Sequence, residues 1–210
     1  GFYQNPDLVK LKVCGMRAPD NIAALSDLAP DYMGFIFWEN SKRFVNNPTP
    51  DLPASIKKTG VFVDASPAYI TDMVKHHQLQ AVQLHGEESP NFCQKLNALG
   101  LEIIKAFAVD ASFDFSVLEA YETVCNYFLF DTKGPLPGGN GNRFDWSVLR
   151  NYPSAKPFFL SGGIGPGDQN AIASIINLNL PLYAIDINSQ FEIEPGLKNI
   201  EIIKQFKATL

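Results

Sequence analysis

No run of about 18 apolar residues occurs anywhere in the sequence, so no conventional membrane-spanning helix is expected. The stretch from Gly1 to Lys10 also lacks the apolar core that a signal peptide carries. Runs of Lys or Arg are missing, and the net charge is -5, which argues against a nucleic-acid partner because such binding rests on a basic footprint. Cysteine is scarce. Cys14, Cys93 and Cys125 are widely spaced, form neither a CxxC pair nor a zinc pattern, and are odd in number. Free thiols in a reducing cytoplasm are the natural reading. Of the three histidines, His76 and His77 fall in a helix-like stretch and only His85 follows a strand-like one. That is too few for the usual metal site of a sugar-phosphate epimerase, so no metal is expected. Gly and Pro, 15 of each, occur at ordinary frequency, which indicates neither disorder nor a fibrous repeat.

What the sequence does contain is alternation. Its 210 residues are 46% hydrophobic, enough for one substantial core within a single domain spanning 1–210. Short apolar runs are expected as strands at Leu11 to Cys14, Tyr32 to Phe37, Gly60 to Val63, Ala81 to Leu84, Glu102 to Phe107, Tyr127 to Phe130, Pro157 to Leu160 and Leu182 to Ile185. Between them, Asn21 to Leu28, Ala68 to His77, Asn91 to Leu99 and Gln169 to Ile176 repeat apolar residues at helical spacing. Ser66-Pro67 and Ser89-Pro90 are helix-start signals. Asn46 to Pro53, with three prolines, reads as a loop where a second long helix would stand. Eight alternating units imply a parallel sheet, closed as a (β/α)8 barrel or open and doubly wound. The open form usually has Gly-x-Gly-x-x-Gly after its first strand, whereas this chain has Cys14-Gly15-Met16-Arg17.

In a barrel, chemistry gathers at the C-terminal strand ends. Those positions hold Cys14, Asp64, His85, Asp131, Ser161-Gly162-Gly163 and Asp186, and the opposite ends show no comparable set. Ser161 to Gly165 runs towards a helical stretch with Pro166 near its start, a setting in which backbone N–H groups hold a phosphate. The alternative for these glycines is a tight turn. Pro137 to Gly141 reads as a glycine loop able to close over a substrate, or as a passive surface loop. Cys14 and Asp131 face one mouth and suit a base and acid pair, although a strand-end cysteine is also an ordinary small apolar residue. Cys93 and Cys125, both in helix-like stretches, read as buried small residues.

The runs Leu11-Lys12-Val13-Cys14-Gly15, Gly34-Phe35-Ile36-Phe37, Ser41-Lys42-Arg43-Phe44-Val45, Gly60-Val61-Phe62-Val63 and Val82-Gln83-Leu84-His85-Gly86 resemble those of phosphoribosylanthranilate isomerases. So do Asp131 with the glycine loop ending at Phe144-Asp145-Trp146, Ser161-Gly162-Gly163, Asp186-Ile187-Asn188-Ser189 and Glu194-Pro195-Gly196. The likeness covers nearly the whole chain, in order. It implies a cofactor-free (β/α)8-barrel isomerase of tryptophan biosynthesis, acting on a small phosphosugar as a monomer or homodimer. It further implies Asp131 as the acid that opens the sugar ring, Cys14 as the base that removes the C2′ proton, and Arg43 against the anthranilate carboxylate. Backbone groups around Gly162, Gly163 and Ser189 would hold the phosphate, with His85 and Asp186 also facing the substrate. The acid role requires a protonated Asp131, which desolvation and the Asp186 carboxylate would favour. The strand-eight loop departs from the family pattern at Ser189-Gln190-Phe191-Glu192, where glycine and a small apolar residue are common.

Two rivals remain. The histidine-pathway sugar isomerase on a related barrel performs the same rearrangement with two aspartates, so cysteine at position 14 speaks against it. A catalytically silent phosphate-binding barrel would keep the glycines without needing Cys14, Asp131 and Arg43 together. Strand alternation adds one expectation of its own: if Cys14 points into the pocket, Lys12 points inward one layer deeper, and Gln83 does so beneath His85. A buried cation needs a partner, so Lys12 should meet Asp131 or Asp186. The alternative is a rotated first strand with Lys12 reaching solvent.

Overall fold

The computed structural model describes residues 8–135, 138 and 142–210. The glycine loop Pro137 to Gly141, apart from Gly138, lies outside the described residues. Eight parallel strands close into a barrel in sequence order: β1 (Lys10–Val13), β2 (Tyr32–Ile36), β3 (Lys57–Phe62), β4 (Ala81–Leu84), β5 (Glu102–Val109), β6 (Tyr127–Thr132), β7 (Phe158–Leu160) and β8 (Leu182–Ile187). β1 pairs with β8 to complete the ring, with Lys12 opposite Asp186. The open doubly wound alternative is thereby excluded.

Among the described residues five α-helices accompany the strands: α1 (Pro19–Ser26), α2 (Pro67–His77), α3 (Pro90–Asn97), α4 (Gln169–Ile176) and α5 (Ile200–Lys207). The Ser66 and Ser89 hydroxyls accept from Tyr69 N and Phe92 N, each at 3.1 Å, with proline at the first turn. These caps satisfy N–H groups that the helix itself leaves open. Between β2 and β3 the chain forms no helix, and Phe44 instead bridges to Ile36. Among the described residues, units five and six carry only 3-10 turns, Phe115–Tyr121 and Trp146–Asn151. Cys125 lies beyond the first of these turns, just before β6, and so is not helical as expected, although it is buried.

Outward strand residues such as Val13, Phe35, Val82, Ile103, Phe128 and Leu160 pack beneath the helical layer. Burial of each such side chain contributes about 1.5–3 kcal/mol. Inside the barrel, Tyr32, Ala81, Ile104, Leu129, Phe159 and Ala184 fill the lower half. The N-terminal strand ends are more polar than the sequence suggests. Tyr32 Oη lies 3.1 Å from both Glu102 Oε2 and Tyr183 Oη, and Lys57 pairs with Glu102 at 2.7 Å. This bottom cluster closes the barrel, and what chemistry the fold offers is at the other end.

Candidate active site

At the C-terminal mouth of the barrel lies a cleft of about 370 Å³. Cys14, Arg43, His85, Asp131, Gly162, Gly163, Asp186 and Ser189 all line it, so residues 175 positions apart in sequence, from Cys14 to Ser189, share one space. All but Arg43, which comes from the loop between β2 and β3, arrive by the same geometry, at or just past the end of a strand whose inward face alternates with its outward one.

Lys12 is fully buried inside the barrel, as alternation requires. Its Nζ lies 3.0 Å from Asp186 Oδ2 and 2.6 Å from Gln83 Oε1. Of the two carboxylates expected as its partner, Asp186 is the one it meets. Burial alone would lower the Lys12 pKa, but the Asp186 and Cys14 charges carry it above its ordinary value, so Lys12 remains an ammonium. Burial pushes the Cys14 thiol up, and the Lys12 and Lys198 ammonium groups pull it partly back. Cys14 therefore rests as a thiol at neutral pH, with two cations poised to favour its thiolate. Lys12→Met should slow alkylation of Cys14 at neutral pH. It should also cost about 3–5 kcal/mol of stability by leaving Asp186 unpaired. An unchanged thiol titration would refute the coupling.

Gln83 and His85 continue this network upward. Gln83 Nε2 lies 2.7 Å from His85 Nδ1, and His85 Nε2 lies 2.9 Å from Asp131 Oδ2. Thr132 N donates to Asp131 Oδ1 at 2.8 Å, and Ser161 Oγ donates to Asp186 Oδ2 at 3.3 Å. His85 thus touches Asp131 directly as well as lining the cleft.

Gly34 and Gly162 make room for Cys14 and Asp131. A Cβ at Gly34 would sit 2.8 Å from Cys14 Sγ. One at Gly162 would sit 2.6 Å from Asp131 Oδ1 and 2.7 Å from Thr132 N, on a backbone at φ +93°. Gly162→Ala should therefore displace the Asp131 carboxyl and lower kcat by roughly tenfold or more, since misplacement by an ångström can cost about 100-fold. Steady-state kinetics with a matched melting curve checks this, and full activity in a folded variant would contradict it.

On the far side of the cleft, Arg43 is held before any ligand arrives. Its Nε lies 2.9 and 3.1 Å from the two Glu192 oxygens, and Nη2 bonds Oε1. Glu192 also accepts from Lys198 Nζ at 2.8 Å and Gly196 N at 2.9 Å. Burial would raise the Glu192 pKa, but the Arg43 and Lys198 bonds hold it below its ordinary value. The Nε edge of the guanidinium is thereby occupied. Nη1 makes no hydrogen bond to the described residues, which leaves the outer edge for an incoming carboxylate.

The N–H groups of Gly162, Gly163 and Ser189 make no hydrogen bond within the described residues. Gly162 and Gly163 are both at positive φ, +93° and +66°, a conformation that turns successive amides towards one concavity. The helix after this loop covers the residues that the apolar spacing predicts, but the loop does not lead straight into it. α4 starts at Gln169 and Pro166 stays in the loop, because Asp168 Oδ2 accepts from Gly165 N at 2.7 Å and folds 165–168 into a turn. Any anion here meets loop amides and the 3-10 turn Ser189–Phe191.

Sequence reasoning missed Trp38 and Asn188 on the cleft wall, and the Glu192–Lys198 support behind Arg43. Trp38 had a usable signal, since it directly follows Phe37 past the end of β2.

Fold and cleft together define the class, a (β/α)8-barrel enzyme. A family model described as N-(5′-phosphoribosyl)anthranilate (PRA) isomerase matches residues 11–209, and the chain belongs to that family. It is 46% identical over 203 residues to the N-(5′-phosphoribosyl)anthranilate isomerase of Parabacteroides distasonis, covering 93% of this chain and 90% of that one. The phosphoribosyl anthranilate isomerase of Thermotoga maritima superposes with a TM-score of 0.80 at 32% identity, covering 95% and 97% of the two chains. Another phosphoribosyl anthranilate isomerase, solved with reduced 1-(o-carboxyphenylamino)-1-deoxyribulose 5-phosphate, gives 0.80 at 30% identity, covering 96% and 98%.

Proposed function

We propose that this chain catalyses the Amadori rearrangement of N-(5-phosphoribosyl)anthranilate to 1-(2-carboxyphenylamino)-1-deoxyribulose 5-phosphate in tryptophan biosynthesis, by general acid–base chemistry and without a cofactor. One observation carries the reading: a thiol and a carboxyl, Cys14 and Asp131, share a cleft bounded by a guanidinium edge and a set of loop amides. The substrate has the complementary layout, a carboxylate at one end, a phosphate at the other and the reacting carbons between.

Asp131 gives its proton to the furanose ring oxygen. The C1′–O bond breaks, and the anilino nitrogen supplies the electron pair for a Schiff base. Cys14, as thiolate, removes the C2′ proton, and the freed pair forms the enolamine that tautomerises to the ketone. Arg43 orients the anthranilate carboxylate, while Gly162, Gly163 and Ser189 bind the phosphate through backbone N–H groups. His85 and Asp186 act around these groups, His85 on Asp131 and Asp186 on Lys12. All of these residues belong to one chain, so the reaction asks for no second copy, whether the protein is a monomer or a homodimer. Three unpaired cysteines suit a reducing compartment such as the cytoplasm. No helix among the described residues is long and apolar enough to cross a membrane.

Arg43→Ala tests the orientation of the substrate. A hydrogen bond to a charged group contributes about 1.5–3 kcal/mol, so KM should rise roughly 10–100-fold while kcat changes much less. An unchanged KM would remove Arg43 from the carboxylate site.

A further inference from the structure

Three short contacts at the barrel centre have only one consistent set of proton positions. Lys12 can only donate, so the Gln83 amide must turn its oxygen to Nζ, 2.6 Å away. Its NH2 group then faces His85 Nδ1 at 2.7 Å and can only donate to it. Nδ1 is therefore the accepting nitrogen, and in the neutral imidazole the proton sits on Nε2. That nitrogen lies 2.9 Å from Asp131 Oδ2, so the chain Lys12, Gln83, His85, Asp131 donates in one direction throughout.

We propose that Gln83 is a positioning residue that locks His85 as an Nε2–H donor, so that the imidazole cannot take the proton of Asp131 and that proton is reserved for the substrate. The proposal rests on the reading of Asp131 as the general acid. Oδ2 accepts from His85 and Oδ1 from Thr132 N, so neither oxygen faces, among these contacts, a protein group that would take the acid proton. When the substrate is protonated, the Asp131 O–H bond breaks and an O–H bond forms on the ring oxygen. The electron pair stays on the carboxylate, which then has two N–H donors in place, from His85 and Thr132. With the opposite tautomer, Nε2 would accept the same proton. An imidazolium–carboxylate pair would result, with nothing left to deliver.

The test uses the full chain carrying ¹⁵N-labelled histidine, with His85 assigned by His85→Gln. At neutral pH the wild type should show a protonated Nε2 and a bare Nδ1. Gln83→Glu supplies an acceptor to Nδ1–H, so both nitrogens should become protonated. kcat should then fall roughly 100-fold, the scale of a lost proton-transfer group, with binding of the reduced product analogue within about threefold. Gln83→Met removes the lock without adding an acceptor and should lose roughly tenfold in kcat with a mixed tautomer. If Gln83→Glu does not fold, the wild-type spectrum and Gln83→Met decide. A wild-type Nδ1–H tautomer, or unreduced kcat in either variant, would overturn the proposal. The expected spectra combined with full turnover by Asp131→Asn would instead overturn the acid assignment and leave the lock without its purpose.

Discussion

Asp131→Asn should lower kcat by at least about 100-fold, the usual scale for a positioned proton donor, while the product analogue still binds. The substitution keeps shape and volume, so the Thr132 N–H that now donates to Oδ1 still finds an acceptor. What is lost is the transferable proton, since an amide cannot supply one at any useful rate. With the amide oxygen on Thr132 N, the amide NH2 faces the His85 Nε2–H, 2.9 Å from Oδ2 in the native arrangement, and one donor loses its acceptor, which should cost about 1–3 kcal/mol. A rate loss carried by kcat, with a melting temperature lowered by only a few degrees, is the expected pattern. Near-normal turnover would remove Asp131 from the acid role.

Cys14→Ala should be comparably severe, again by at least about 100-fold in kcat, with the analogue still bound. The base must be the thiolate, and burial holds the thiol above its ordinary value despite Lys12 and Lys198. The sign of the pH dependence follows directly. Below the thiol pKa the thiolate fraction grows about tenfold per pH unit, so kcat/KM should climb from neutral towards alkaline pH. In Cys14→Ala the thiolate-dependent rise should vanish. A wild-type profile that is flat between neutral and alkaline pH would contradict a buried thiol as base.

Much of this was legible because strands alternate with period two. Lys12 sits two residues before Cys14, and that spacing alone points it into the barrel, where a carboxylate had to meet it. β1 and β8 are the first and last strands of the ring, so only closure makes Asp186 the neighbour. The strand-end positions from Cys14 to Asp186 were readable for the same reason. Contacts between distant loops were not. Glu192 stands 149 residues from Arg43, and nothing local marks one as the other's anchor. The 3-10 turns of units five and six pack by aromatic contacts, Phe113, Phe115 and Tyr152 against Phe130, between residues far apart in sequence. Apolar spacing does not report those contacts. The turn that keeps Pro166 outside α4 likewise hinges on one side chain, Asp168, turning back to Gly165.

The central claim is best tested by turnover itself. Phosphoribosylanthranilate generated fresh from anthranilate and an activated ribose phosphate is fluorescent, and its rearrangement removes that fluorescence. The purified chain, without added metal or cofactor, should abolish the signal at an enzyme-dependent rate far above the spontaneous decay, leaving the 1-(2-carboxyphenylamino)-1-deoxyribulose 5-phosphate product. A decay no faster than the enzyme-free control, with the analogue still binding to the cleft, would contradict it and leave a phosphate-binding barrel without this chemistry.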